Sequence, residues 1–206
     1  MKHTIILFAM LVVCIAGASA QKEGNNDANR WSFGARAGIS LSSLTNSEGG
    51  SHVGFTAEFL SDFHLKNKLY FRTGLGFNEF RHKWTSKYAS LWECDGKTKC
   101  IANSVYLPLR LAWKLPVNGN CGFDLETGTY FSYGIGGKCD YCDEIVSKHN
   151  VYGRGFNNRY NFGLQCGIGF TFRRYYVGFS TMFDWRNNGD THDGFTGAVK
   201  FGYTFK

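Results

Sequence analysis

NRYNFGLQCGIGFTFRRYYVGFSTMFDWR, residues 158–186, is the stretch that decides the fold. Its first arm places large apolar residues at every second position from Tyr160 to Phe172, and its second arm does so from Tyr175 to Trp185. Such strict alternation is typical of a β-strand with two chemically different faces. Because Phe172 and Tyr175 both lie on the apolar face, we predict a hairpin in which the intervening Arg-Arg pair forms a two-residue or slightly longer turn.

The two faces of this hairpin differ in size as well as in polarity. One face is aromatic, whereas the other consists mainly of glycine, serine and threonine. A soluble sheet would bury its apolar face and expose long polar side chains, which the second face largely lacks. Small residues instead fit the interior of a narrow barrel. Each arm also has about the 9–11 residues that a tilted strand needs to cross a bilayer, so we predict that the aromatic face contacts lipid.

The N-terminus has the features of a secretory signal peptide. Lys2 precedes an apolar run over residues 5–15, and Ala-Ser-Ala at residues 18–20 forms a small-residue cleavage site. The apolar run is shorter than the ~18–20 residues that a transmembrane helix requires. We expect a signal peptide over residues 1–20, a polar lead-in over residues 21–30 and one barrel domain over residues 31–206.

Six further segments alternate in the same way, which brings the predicted number of strands to eight. Short turns and long loops follow one another between these strands, and the first turn is placed at residues 62–67. Pro108 lies inside the fourth strand and cannot donate to the ladder, so we expect a bulge or gap there. The predicted strands cover residues 31–42, 52–61, 69–78, 105–115, 122–133, 160–172, 175–185 and 195–205.

Alternating short and long connections are typical of an outer-membrane barrel with both termini in the periplasm. The predicted fold is therefore all-β: an eight-stranded antiparallel up-and-down transmembrane β-barrel with short periplasmic turns and long extracellular loops. The longest loops are expected over residues 81–103 and 135–157.

Three segments carry a resemblance to a known family. FGARAGISLSSL (33–44), VYLPLRLAW (105–113) and GFTGAVKFGYTFK (194–206) resemble the first, central and closing strands of small outer-membrane barrels of the "porin family" or PorT-like group. The resemblance implies an eight-stranded barrel in a Gram-negative outer membrane, and it carries no catalytic residue to this chain. One departure is that Lys206 follows Phe205, whereas such barrels often end on the aromatic residue.

Four cysteines fall in the two longest loops. In an oxidising compartment such cysteines usually form disulfides, and closeness in sequence favours Cys94–Cys100 and Cys139–Cys142, with pairing between the loops as the second choice. A four-thiolate zinc site and a redox Cys-x-x-Cys are weaker alternatives. Cys121 and Cys166 fall on the lipid face and are predicted to be free. No cofactor is expected.

Charged residues at inward positions predict a lumen charge network, because charges in a narrow interior must find partners. If Leu115 pairs with Cys121, Arg110 lies opposite Glu126 and should contact it. Loss of Arg110 would then leave Glu126 alone and cost about 3–5 kcal/mol. The predicted network comprises Arg36, Glu58, Arg72, Arg110, Lys114, Asp124, Glu126, Asp184 and Lys200.

The long loops are the predicted functional surface, because loops of this length are usually functional or disordered. Their aromatic residues suit an interface, although such residues also pack at lipid headgroups. The formal net charge of +7 is scattered without a basic run, which argues against a nucleic-acid partner. The aromatic residues of this surface are Trp84, Tyr88, Trp92, Tyr141 and Tyr152.

The expected function is therefore that of a monomeric, non-enzymatic barrel with a closed lumen, which contacts outer-membrane lipid and binds an envelope or extracellular partner through its loops. One alternative is an outer-membrane enzyme that acts on lipid or peptide at the outer leaflet. The other is a small-solute porin, which a filled eight-stranded lumen disfavours.

Overall fold

The computed structural model describes residues 30–44, 52–84, 98–140, 149–150, 159–184 and 194–205. The predicted signal peptide and nearly all of the lead-in lie outside these residues. In the described part of the chain, no helix is long and apolar enough to cross a membrane.

Eight long strands close into one antiparallel barrel, which confirms the predicted fold. The strands are β1 (Trp31–Leu44), β2 (His52–Lys66), β3 (Leu69–Trp84), β4 (Thr98–Pro116), β5 (Cys121–Asp140), β6 (His149–Asn150), β7 (Tyr160–Phe172), β8 (Tyr175–Asp184) and β9 (Gly194–Thr204). The eight long strands pair in chain order, with β5 next to β7, and β1 pairs with β9. Among the described residues, the two-residue β6 pairs with the edge of β5.

The hairpin of β7 and β8 has the predicted register. Phe172 pairs with Tyr175, and a two-residue turn joins them. Arg173 has a φ of 54° there, and Asn67 has a φ of 55° in the turn between β2 and β3. The first turn therefore lies after Lys66, and β2 continues through the residues that the sequence assigned to that turn.

The outward face is apolar and exposed, as a lipid-facing surface must be. Ile39, Ile168 and Val199 are each about half exposed in the middle of their strands, at 62%, 52% and 49%. Aromatic pairs lie near the strand ends, as in the interface girdles of membrane barrels. These pairs include Trp31–Phe63 and Tyr175–Tyr203 on the turn side and Tyr133–Tyr160 and Phe183–Phe195 on the loop side.

Three neighbouring strands are longer on the loop side than the sequence predicted. β3 continues to Trp84, β4 begins at Thr98 and β5 ends at Asp140, so parts of both predicted long loops are paired strand. The ladder of β4 and β5 shifts register between Asn103 and Ser104 and then continues. Where a strand leaves the lipid, its apolar residues no longer alternate with polar ones, but its backbone pairing continues. The sequence pattern therefore did not predict these strand ends.

Pro108 leaves the predicted gap. Thr73 pairs with Leu109 and Gly76 with Tyr106, but no ladder pairs join β3 and β4 between them. The register is the same on both sides of this interruption, so the strand carries a gap in the ladder and no bulge at this point.

Candidate functional site

The most distinctive site among the described residues is a group of buried charges inside the barrel. These side chains lie at alternate strand positions, so each backbone that exposes an apolar residue to lipid also directs its polar neighbour inward. Eight of the nine predicted inward charges belong to this group. Lys114 belongs to it through its ion pair with Asp62. We call it the lumen charge cluster: Arg36, Glu58, Asp62, Arg72, Arg110, Lys114, Asp124, Glu126 and Lys200.

Arg36 spans the full width of the barrel. It lies on β1, four strands from β5 in either direction around the closed sheet. Its guanidinium nevertheless reaches β5, with Nη1 3.1 Å from Glu126 Oε2 and Nη2 3.2 Å from Asp124 Oδ2. The guanidinium also lies over the ring of Tyr176, 3.6 Å from its centroid. This contact between opposite walls places charged groups on the axis of the lumen.

Arg72 forms a two-pronged ion pair with Asp62, a residue that the sequence analysis did not include. Nε lies 2.6 Å from Oδ1 and Nη2 lies 2.9 Å from Oδ2, the geometry that makes such pairs strong. Nη1 of Arg72 also lies 2.5 Å from Glu126 Oε2. The predicted second strand ends at Ser61 and so excludes Asp62. The even-numbered inward positions of β2 continue past Glu58 to Asp62.

Arg110 contacts Glu126 as predicted, but the register behind that prediction is wrong by two residues. Arg110 pairs with Gly128 and Glu126 pairs with Ala112, because Leu115 pairs with Phe123 across the turn. The contact forms diagonally, with Arg110 Nη1 2.6 Å from Glu126 Oε1. The long arginine side chain spans this two-residue offset.

Glu126 would also not be left alone by loss of Arg110. Arg36 and Arg72 both lie within ion-pair distance of its Oε2. The expectation that Arg110→Ala isolates this carboxylate is therefore wrong, and the predicted cost falls toward the lower end of the range for a broken buried pair, about 3 kcal/mol.

Glu58 contacts buried side chains from β4 and β9. Its Oε2 lies 2.7 Å from Arg110 Nη2 and 3.2 Å from Lys200 Nζ, and it accepts a hydrogen bond of 2.9 Å from the Tyr106 hydroxyl. Lys200 is 1% exposed. A cationic ammonium at that depth requires a carboxylate beside it, and Glu58 provides one.

Two predicted charges lie at the edges of the lumen. Lys114 is partly exposed, at 31%, and its Nζ lies 2.6 Å from Asp62 Oδ2. Asp184 lies at the loop end of β8, where it accepts a hydrogen bond from the Tyr130 hydroxyl.

Two inward tyrosines pack against each other on the loop side of the charges. Tyr106 and Tyr130, each 1% exposed, meet edge to face with their ring centroids 6.2 Å apart. A Cβ placed on Gly76 would lie 2.1 Å from the Tyr106 ring, so only glycine leaves room for that ring. This steric fit explains why glycines recur on the inward face beside large residues.

Most of the predicted loop residues lie outside the described residues, namely Cys94, Cys142, Tyr88, Trp92, Tyr141 and Tyr152. Trp84, Cys100 and Cys139 lie within strands, where Cys100 is the register partner of Cys139. Cys121 and Cys166 are free thiols, and Cys166 is exposed on the outward face. Among the described residues, no group of three or more His, Cys, Asp or Glu side chains could hold a metal ion.

The sequence matches a known protein family. Residues 19–184, well over half of the chain, match the outer membrane protein beta-barrel domain. The chain belongs to this family. It is therefore a barrel of the Gram-negative outer membrane, in agreement with the alternation of its strands and the girdles of aromatic residues. The finer resemblance to PorT-like proteins stays a prediction.

Several solved structures are similar to this chain at low sequence identity. Neisserial surface protein A (NspA) is 14% identical with a TM-score of 0.55, and the match covers 88% of this chain and 99% of NspA. Ail of Yersinia pestis, solved in complex with the heparin analogue sucrose octasulfate, is 11% identical with a TM-score of 0.45, covering 85% and 97%. The outer membrane enzyme PagL is 10% identical with a TM-score of 0.39, covering 82% and 98%. At such identities the likeness to NspA shows the fold alone. No curated protein matches the sequence.

Proposed function

We propose that this outer-membrane barrel is a non-conducting, non-enzymatic scaffold whose extracellular strand ends and loops form a binding surface. The observation that carries the proposal is the bridge from Arg36 on β1 to Asp124 and Glu126 on β5. A salt bridge across the full width of the barrel occupies the path that a solute would take. Eight-stranded barrels have an interior just wide enough for side chains, so this bridge and its neighbours support a closed lumen.

The tyrosine layer supports the same conclusion on the extracellular side. Tyr106 and Tyr130 meet in the lumen next to Met182, and all three are buried. Tyr106 is tied to Glu58 by its hydroxyl, which couples this layer to the charges. A solute entering from outside would first have to displace two packed rings and then break buried ion pairs.

The pairing of the buried carboxylates supports a non-enzymatic role. Glu58, Asp62 and Glu126 each have at least two cationic groups within ion-pair distance. A general base or nucleophile needs a carboxylate that can reach a substrate and exchange a proton. Carboxylates held by arginines inside a filled lumen are suited to packing and not to that chemistry.

The extracellular strand ends supply the binding surface. β4 has 19 residues and β5 has 20, roughly twice the 9–11 that cross a bilayer. The excess lies on the loop side, where β3, β4 and β5 extend as a paired sheet. These paired ends lie where the chain enters residues 85–97 and 141–148, and a preformed base of this kind lowers the entropy lost on binding.

Conductance of the purified protein in planar bilayers tests the filled lumen. We expect no stable conductance, while the same preparation shows heat-modifiable migration in gels and so contains folded barrels. A steady conductance of the kind that porins give would contradict the proposal and favour the small-solute channel.

Loop replacement tests the binding surface. Residues 86–96 are replaced by a glycine–serine segment of equal length, and residues 45–50 are replaced in the same way as a matched control. A photoactivatable cross-linker on the loop of residues 141–148 then reports neighbouring proteins in intact cells. We expect a discrete adduct that is lost in the first variant and kept in the control. The same adducts in both variants, or none in the unmodified protein, would contradict a binding role for these loops.

A further inference from the structure

Two cysteines are register partners near the extracellular ends of β4 and β5. Lys99 pairs with Asp140, Cys100 with Cys139 and Ile101 with Lys138, so the two cysteines are directly opposed in the ladder. Directly opposed residues of antiparallel strands have Cα atoms about 4.5–5.5 Å apart and lie on the same face of the sheet. Disulfides require a Cα separation of about 4.4–6.8 Å. We propose that Cys100 and Cys139 form a disulfide that joins β4 to β5 outside the membrane.

The register favours this pair over the neighbours in sequence. Closeness along the chain favoured Cys94–Cys100 and Cys139–Cys142, but Cys100 and Cys139 each lie inside a paired strand. Directly opposed positions in an antiparallel ladder fall within the Cα separation that a disulfide requires. The chain between them runs through the whole β4–β5 hairpin, and cross-links that close long loops constrain the unfolded chain most.

The pair lies near the end of the β4–β5 ladder, where a disulfide would restrain the strand ends. At this end of β5, the two described residues of β6 pair with Lys138 and Cys139. Strand ends with few neighbours open more readily than the middle of a sheet. A covalent link at Cys100 and Cys139 would hold the extended ends of β4 and β5 together beneath the loops.

The reaction is an ordinary two-electron oxidation. Two thiols lose two protons and two electrons as the sulfur–sulfur bond forms. A disulfide-bonded thiol oxidoreductase of the periplasm accepts the electrons by thiol–disulfide exchange and becomes a dithiol. Such oxidation takes place in the compartment that an outer-membrane protein crosses during its assembly. The Cys100–Cys139 bond is expected whether or not the loops bind a partner.

Peptide mapping of the protein from outer membranes tests the pairing. Free thiols are first alkylated, and the protein is digested with trypsin and chymotrypsin without reduction. Trypsin cuts after Lys97 and Lys99 and so separates Cys94 from Cys100, while chymotrypsin cuts after Tyr141 and separates Cys139 from Cys142. We expect a linked peptide that contains Cys100 and Cys139 and disappears on reduction.

Cysteine variants separate the possible outcomes. The Cys94→Ala variant should keep the linked Cys100–Cys139 peptide. The double variant Cys100→Ala with Cys139→Ala should lack it. Cys121→Ala with Cys166→Ala is the matched control and should change neither result. A dominant Cys94–Cys100 or Cys139–Cys142 peptide, or alkylated Cys100 and Cys139 in the untreated protein, would overturn the inference.

Discussion

Replacing Glu126 by glutamine removes one charge from the centre of the lumen and keeps the shape of the side chain. Glu126 Oε1 lies 2.6 Å from Arg110, and Oε2 lies 2.5 Å from Arg72 and 3.1 Å from Arg36. A glutamine has one oxygen and one NH₂ group. Whichever way the amide is turned, its NH₂ group faces at least one guanidinium, so two donors meet where a charge-assisted hydrogen bond existed.

The expected loss follows from what the arginines keep. Removing one partner of a buried ion pair costs about 3–5 kcal/mol, because the other charge is left without compensation. Here no arginine is left without a carboxylate. Arg110 keeps Glu58 at 2.7 Å, and Arg36 and Arg72 keep Asp124 at 3.2 and 2.8 Å. We therefore expect Glu126→Gln to lower the free energy of unfolding by about 3 kcal/mol, at the lower end of the range.

Urea unfolding in lipid vesicles, followed by tryptophan fluorescence and heat-modifiable migration, measures this loss. The matched control is Glu79→Gln, because Glu79 pairs with Arg81 on the same barrel and the Arg81 side chain is 47% exposed. Exposed pairs contribute only about 0.2–1 kcal/mol. A loss for Glu126→Gln no larger than that of Glu79→Gln would refute the claim that the buried charges stabilise the fold.

Two further substitutions test the packing of the lumen and the lipid face by the same unfolding measurement. Gly76→Val would force the Tyr106 ring out of its place and should cost about 1–3 kcal/mol, whereas Gly136→Val, whose added Cβ would meet nothing within 4 Å, should change stability by less than about 0.5 kcal/mol. Ile168→Arg, near the middle of a lipid-facing strand, should cost about 2–4 kcal/mol, and Tyr160→Arg, at its loop end, only about 0–1 kcal/mol. Equal losses within either pair would contradict the assigned position of the lumen ring or of the lipid band.

The lumen charges show how far sequence patterning reaches. Alternation alone predicted that Arg36, Arg110 and Glu126 point inward, because each occupies the position next to an outward apolar residue, Ala35, Leu109 and Leu125 respectively. Beyond the Arg110–Glu126 contact it could not give their partners, such as those of Arg36 on the opposite wall, because those depend on how eight strands tilt and close. The register of β4 and β5 was misplaced by two residues, which keeps every side chain on its face and shifts only the depth.

The strand ends show the opposite limit. Asp62 was assigned to a turn and the ends of β3, β4 and β5 to loops, although all of them belong to strands. Each error lies where the chain leaves the lipid. The hydrophobic contrast between the two faces fades there, whereas the backbone hydrogen bonds that define the strand continue.

The sequence by itself determined that this chain forms a membrane barrel, which residues face lipid and which face the lumen, because a bilayer imposes a period of two on every spanning strand. Only the tertiary structure decided that Arg36 meets Asp124 across the barrel and that Cys100 stands opposite Cys139. Both contacts join residues far apart in the chain. Their geometry is set by the stagger and closure of the sheet, which no local pattern encodes.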